Sequence, residues 1–419
     1  MRVPFLDLTA QLETTGPAVE RAILDVVRSG RYVGGPMIDA FEAAMADYLE
    51  VDHAVAVSSG TDALLVALMA LEVGRGDLVL TTPYSFFATA GVVARLGATP
   101  VFVDIDPRTF NLDPRALIAW WDRHREERER VKAIIPVHLF GQCAELDAIL
   151  ALAAAHGIPV VEDAAQALGA RCGAGAGGNN VGGDGTGEGG DPVVSDGTGA
   201  GGSTVAGNRD RAGGAGRPAG TAGGFGCYSF YPTKNLGAMG HGGLVVTGDA
   251  DRAAAVRQLR DHGAHPPYHH ARIGGNFQID ALQAAVLTAK LPFLDGWHEA
   301  RRARAAHYDR RLQAAGVTPP APARRPDGHV YNQYVIRVPD RRDALRAHLT
   351  AQGIDTMVYY PVPLHRQACF RHLGHAPGAF PHSEAAAATS VALPVYPELT
   401  PAMQDRVIEA VAAFYGGGA

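Results

Sequence analysis

Lys234 lies in the stretch Ser229-Phe230-Tyr231-Pro232-Thr233-Lys234-Asn235, with glycines following at Gly237, Gly240, Gly242 and Gly243. A lysine amine condenses with an aldehyde when it loses its proton often enough to attack. A generic lysine is a solvated surface charge, but Phe230, Tyr231 and Pro232 give this one a crowded, partly desolvated setting. Asp163 ends the apolar run Pro159-Val160-Val161-Glu162, where an acid is costly unless it has a partner. A protonated pyridine nitrogen is such a partner, and that ring accepts electrons as a carbanion forms. Read more plainly, Asp163 is the N-cap of a helix over Ala164–Leu168. Gln166 then either contacts the ring hydroxyl or completes a capping box. In Ser59-Gly60-Thr61-Asp62, Gly60 permits close backbone approach and the free amides of a helix start attract phosphate. The hydroxyls of Thr61 and Ser229 add donors, although an ordinary cap uses the same residues. Phe86 or Tyr84 offers a face to stack on a flat ring, the plainer reading of Phe86 being core packing. An amine, a buried carboxylate and a hydroxyl-rich turn, in this order, are the parts needed to hold pyridoxal phosphate and use it.

These residues need a frame that brings them to one edge. Ala54–Val57, Leu78–Thr81, Pro100–Val103, Ala133–Val137 and Pro159–Val161 read as strands buried on both faces. Helical periodicity in Asp62–Leu71, Phe87–Leu96 and Glu145–His156 alternates with them. The pattern predicts an α/β fold, a mostly parallel sheet covered by helices. Ligands in such sheets sit beyond the carboxyl ends of the strands, where Ser58–Thr61, Pro83–Phe86, Pro136–His138 and Asp163 all fall. His138 is therefore a candidate for the same crevice. After Gly248, helices are expected at 249–261, 278–291, 297–312, 341–352 and 401–414, with a strand at 331–338. The predicted organisation is a large domain over residues 1–290 and a smaller C-terminal α+β domain over 291–419. Glycine fills 21 of the 52 positions from 173 to 224, so this block buries too little surface to offset its backbone entropy. It is expected to be a disordered surface insertion.

Composition excludes several classes. The formal charge of −6 gives no electrostatic case for nucleic acid or an anionic membrane. The start of the chain lacks an apolar signal core, and no uncharged apolar run suits a membrane span, which predicts a cytoplasmic protein. Cys143, Cys172, Cys227 and Cys369 are scattered without metal-ligand spacing and suit a reducing compartment. His265, His269 and His270 lack acidic or cysteine partners at ligand spacing, so no metal is expected. The first strand-to-helix turn carries no G-x-G-x-x-G run, which argues against a nicotinamide dehydrogenase.

With those residues assembled, the chain resembles the DegT/StrS family of sugar aminotransferases, within the aspartate-aminotransferase (fold type I) superfamily of pyridoxal-phosphate-dependent transferases. The likeness runs through Val3–Leu8, Gly30–Pro36, Ser58–Leu64, Thr81–Thr89, Val101–Asp106, Val137–Gln142, Val161–Leu168, Ser229–Gly243 and Asp280–Ala285. It implies that Lys234 bonds the cofactor and acts as the catalytic base, while Asp163 pairs with its ring nitrogen. Gln166 would contact the ring, Phe86 would stack on it, and Gly60, Thr61 and Ser229 would hold its phosphate. The resemblance also implies a homodimer in which Asn276 reaches the neighbouring phosphate, with Tyr231 and His365 near a sugar pocket. The substrates it implies are an amino-acid donor, L-glutamate, and a nucleotide-linked keto-sugar of polysaccharide or secondary-metabolite synthesis. The other roles found in such proteins are regulation with bound cofactor and sugar dehydration; dehydratases carry histidine where this chain has Lys234. Two departures stand out. Asn276-Phe277-Gln278 replaces the family's frequent Asn-Ser-Arg and removes a bidentate anion partner. His241 stands where aspartate is common.

Overall fold

The computed structural model describes residues 1–173 and 216–416. Its elements in chain order are α1 (Leu8–Ser29), α2 (Pro36–Tyr48), β1 (His53–Val57), α3 (Gly60–Ala70), β2 (Leu78–Thr81), α4 (Ala88–Arg95), β3 (Thr99–Phe102), α5 (Pro114–Arg123), β4 (Val131–Ile135), α6 (Leu146–Ala155) and β5 (Val161–Asp163). There follow β6 (Arg171–Cys172), β7 (Arg217–Pro218), β8 (Phe225–Ser229), β9 (Gly243–Thr247), α7 (Ala250–Arg260), α8 (Ala281–Lys290), α9 (Leu294–Ala314), β10 (Tyr334–Arg337), α10 (Arg342–Ala351), α11 (Pro381–Thr389), β11 (Ser390–Leu393) and α12 (Pro401–Gly416).

Strand pairing runs β3-β2-β4 and β5-β8-β9-β1. Parallel bridges Ile134↔Val160 and Val137↔Asp163 join the two sets into one continuous sheet. Within it β9 alone runs antiparallel to its neighbours, β8 and β1. The sheet is buried on both sides, as the apolar runs require. Val55, Val57, Val79, Ile135, Val161, Phe225 and Val245 meet α3 on one face. Ala54, Ala56, Tyr228, Leu244 and Val246 meet α2 and α8 on the other. Helix α3 is apolar nearly all round, because it lies between the sheet and further helices. The expectation of two-sided burial fails at β3, whose positions alternate between half-buried and buried because it is the sheet's edge.

Residues after α8 build a second core. There α9, α10 and α12 enclose the antiparallel pair β10–β11 around Tyr308, Tyr334, Ile336, Leu345, Val391 and Val407. Val3 belongs to this core and bridges to Ile354, so the chain's start packs against its distal half.

The glycine-rich block needs correction at one end. Residues 174–215 lie outside the described residues. Residues 216–224 are ordered: β7 pairs with β6, Ala219 N–H donates to Ala170 O, and the amides of Gly220, Ala222 and Gly223 donate to the Glu162 carboxylate. Backbone hydrogen bonds to a buried acid hold this stretch where side chains supply little packing.

Candidate active site

The carboxyl ends of β1, β2, β4, β5 and β8 open on one edge of the sheet, and Lys234 sits in the connection that returns β8 to β9 at that edge. The connection is pinned by Lys234 N–H to Tyr231 O (2.8 Å), Ala238 N–H to Phe230 O (2.8 Å) and the Lys290 ammonium to Gly237 O (2.7 Å). Burial lowers the Lys234 ammonium to about 8, opposed by attraction to the Asp163 carboxylate. An amine so placed is neutral about a tenth of the time at pH 7, far more often than a solvated lysine, and condensation with an aldehyde uses that neutral form.

Asp163 is almost fully buried, and desolvation raises its carboxyl. The Thr89 hydroxyl donates to its Oδ2 (2.8 Å) and the Ala165 amide to its Oδ1 (3.2 Å), with the Lys234 ammonium adding favourable charge. The Ser85 hydroxyl lies 2.8 Å from that of Thr89 and continues the chain outward. Two donors leave lone pairs of this acid for a cationic ring nitrogen. The helix once expected after Asp163 does not form: Ala164–Leu168 is a series of turns. Gln166 receives the Phe140 amide at Oε1 (2.6 Å) and donates from Nε2 to the Tyr360 hydroxyl (3.2 Å).

Gly60 begins α3 against β8. A Cβ there would stand 2.6 Å from Ser229 Cβ, so only glycine lets the two backbones meet. Thr61 and Ser229 flank the contact, both half-buried. Ser59 caps α3 by accepting from the Asp62 amide (3.1 Å), and the Ser58 and Ser59 hydroxyls donate to the Asp62 carboxylate. The first amides of α3 thus open beside Ser229 in a cradle that a side chain at 60 would fill. Phe86 keeps 56% of its surface exposed, which overturns its reading as core; Tyr84 is the buried one. An exposed ring, a buried acid, a half-buried amine and a glycine cradle at the start of α3 together fit pyridoxal phosphate.

The remaining candidates separate. His138 is fully buried and both ring nitrogens are engaged, Nε2 with Glu162 Oε2 (2.9 Å) and Nδ1 accepting the Ala144 amide (3.0 Å). It is spent within the fold and has no ring nitrogen left for a substrate. Tyr231 is 49% exposed, and its ring lies 5.9 Å from that of His241. His365 is buried, with Nε2 on Glu384 (3.1 Å) and no hydrogen bond at Nδ1; its neighbour Leu364 donates to Pro83 O (2.7 Å) beside Phe86. Asn276 is exposed and bridges Asp261. Gln278, the departure from arginine, donates to that same Asp261 (3.1 Å).

Sequence reasoning missed the Ser85–Thr89 support of Asp163 and the Tyr360 partner of Gln166, since neither spacing carries a signal. It also misread the cysteines. Cys143 and Cys172 are joined by a disulfide, and a ligand atom of His138 lies within 4.8 Å of both sulphurs. Cys227 and Cys369 are free.

No helix among the described residues is long and apolar enough to cross a membrane. Comparison with known proteins agrees with the geometry. The pattern of the DegT/DnrJ/EryC1/StrS aminotransferase family matches residues 14–189 and 186–412. A pleiotropic regulatory protein of Geobacillus stearothermophilus is 42% identical over 417 residues, covering 99% of each chain. A dTDP-3-amino-3,4,6-trideoxy-alpha-D-glucose transaminase of Streptomyces venezuelae is 38% identical, over 98% of this chain and 95% of its own. The crystal structure of a DegT DnrJ EryC1 StrS aminotransferase from Brucella abortus superposes with a TM-score of 0.84 at 36% identity, over 99% of this chain and all of that one. The chain therefore belongs to the DegT/DnrJ/EryC1/StrS aminotransferase family and is an aminotransferase that works with pyridoxal phosphate.

Proposed function

We propose that this enzyme moves an amino group from an amino-acid donor, L-glutamate, to a keto group of a nucleotide-linked sugar. The observation that carries the reading is the half-buried Lys234 amine, its ammonium lowered by desolvation, set against the buried Asp163 carboxylate at the sheet's carboxyl edge. The names of the similar transaminases support the sugar substrate and favour carbon 3 as the position aminated.

When bound, pyridoxal phosphate supplies the electron sink for carbanion chemistry at the donor's α-carbon. Each residue then has a task. Lys234 Nζ would hold the cofactor through its aldehyde and, once released, would serve as the base for the donor's α-proton. Asp163, kept in place by Thr89 and Ala165, holds the ring nitrogen protonated. Gln166 faces the ring from its anchorage on Phe140 and Tyr360, and Phe86 supplies a stacking face. Gly60, Thr61 and Ser229 take the phosphate at the start of α3. Tyr231 and His365 border the sugar side.

The working form is a homodimer in the cytoplasm, with Asn276 offered to the partner's phosphate. Its exposure supports this, as does that of Tyr268 (93%) and Ile273 (91%) in the loop leading to it. The larger, cofactor-holding lobe is residues 1–290 and the smaller 291–419.

The test is glutamate-dependent bleaching of the holoenzyme's visible absorbance, followed by a panel of nucleotide-linked keto-sugars with 3-keto compounds expected to react. Lys234→Ala should lose at least about 10⁴-fold in turnover. Conversion of glutamate by that variant at the native rate would refute the assignment. The regulatory name of the Geobacillus relative sets a control: a binding protein without turnover would take up cofactor yet leave glutamate untouched.

A further inference from the structure

We propose that Lys290 is a positioning residue for the reaction: its ammonium fixes the carbonyl of Gly237 and, with it, the turn that presents the Lys234 amine. The proposal rests on Lys234 being the lysine that takes the cofactor.

Three observations carry it. The chain holds three lysines against thirty-four arginines, and two of the three, Lys234 and Lys290, serve one turn. The third, Lys132, is exposed. Lys290 is the last residue of α8, where a lysine ordinarily stays in solvent beside the final carbonyls of its own helix. Here it is 4% exposed, and Nζ leaves the helix to donate to Gly237 O at 2.7 Å, its one hydrogen bond among the described residues. Burying an ammonium on a single carbonyl is costly, and a helix end that had only to pack would be apolar. A compact point charge suits one acceptor, whereas a guanidinium would bring several N–H groups with nothing to receive them.

The turn is built to transmit position, which is the second observation. A Cβ on Gly237 would collide with Pro232 O, so the backbone from Pro232 to Gly237 closes tightly on itself with Lys234 inside the loop. Lys234 N–H to Tyr231 O and Ala238 N–H to Phe230 O tie its ends, and Ala284 and Leu287 of α8 pack with Phe230, Leu236 and Ala238. A displaced Gly237 carbonyl therefore moves the Lys234 backbone.

Third, the turn is referred to the second core by two side chains. Asn235 Nδ2 donates to Val330 O (3.2 Å). Lys290 is attracted by Glu398, which opposes the burial that lowers its ammonium to about 8, and its Nζ lies 5.9 Å from the centre of the Trp297 ring. Glu398 also attracts Arg301, which donates to Val395 O (2.6 Å) and Tyr331 O (3.2 Å).

The experiment uses the full chain, cofactor-free and loaded. Pyridoxal phosphate followed by borohydride should label Lys234 in the native protein, identified by peptide mass. A label on Lys290 or Lys132 instead would remove Lys234 from its role, a failure distinct from that of this proposal. In Lys290→Met, which keeps the apolar stem, the label should still fall on Lys234 but arrive about 100-fold more slowly. Turnover should drop by a similar factor while KM for glutamate stays within about twofold. Visible circular dichroism of the loaded variant should weaken, because the ring is held at another angle. Lys290→Arg, which returns a donor to the carbonyl, should recover part of each loss. Leu345→Ala, a cavity in the second core, is the stability control: its unfolding midpoint should fall while labelling and turnover stay native. Where Lys290→Met fails to fold, Lys290→Gln, one bond shorter and uncharged, is read in the same way. Native labelling and turnover in a folded, uncharged Lys290 variant, equal losses in Leu345→Ala, or a raised KM at native turnover would each overturn the proposal.

Discussion

Glu162 and Asp163 are consecutive acids on β5, and the pleat sends them to opposite faces of the sheet. Glu162 is fully buried and receives four donors, His138 Nε2 and the amides of Gly220, Ala222 and Gly223. Asp163 is also buried but receives two, and desolvation raises its carboxyl. The saturated acid holds the re-entry of the chain after residue 216, whereas the under-supplied one retains capacity for a cation. Burial alone did not distinguish them; the donor count did.

Substitutions at the two positions should therefore fail in different ways. Asp163→Asn keeps the shape but cannot stabilise a protonated ring nitrogen. Glutamate turnover should fall about 10³-fold, with the unfolding midpoint close to native. A comparable loss of activity from Glu162→Gln without loss of stability would erase the contrast. The expected result for Glu162→Gln is a loss of about 2–4 kcal/mol in denaturant titration, since an amide nitrogen would face backbone N–H groups.

Gly60→Ala places a methyl against Ser229 and should cost about 1–3 kcal/mol through overpacking. Cofactor affinity should fall with it, read by equilibrium dialysis. Native affinity in a folded Gly60→Ala variant would place the phosphate elsewhere. The smallest effect concerns pH. Because burial lowers the Lys234 ammonium to about 8, its reactive neutral form dominates above that value and declines below it. Capture of pyridoxal phosphate by the cofactor-free protein should slow by about tenfold per unit as pH falls below 8, followed by absorbance. A profile still climbing tenfold per unit above pH 9 would mean an ordinary, solvated lysine.

Much of the sheet was readable in advance, unevenly. Leu78–Thr81 matches β2 at both ends, the other strands predicted for this sheet are displaced by one or two residues, and 331–338 starts three residues before β10. The strands β8 and β9 went unread although they hold the Lys234 connection. Phe225-Gly226-Cys227-Tyr228-Ser229 mixes types that carry no periodic signal, and the glycines before Gly243 mask the start of β9. The long N-terminal helix α1, with Pro17 and Gly16 inside it, was missed for a similar reason: local breakers outweigh a helix whose stability comes from packing on α8. His138 was placed with the wrong partners, because a strand end states where a residue emerges and not which side its ring faces.

The sequence by itself determined the alternating apolar runs, the lysine between aromatics and glycines, and the acid closing a buried strand. Those are local patterns, legible because burial and backbone periodicity act over a few residues. Only the tertiary structure decided that Gly60 meets Ser229, that Thr89 supports Asp163, that Glu162 is saturated where Asp163 is not, and that Cys143 finds Cys172 beside His138. These depend on the order in which strands are laid side by side and on the register between them, and no stretch of a single strand encodes its neighbour.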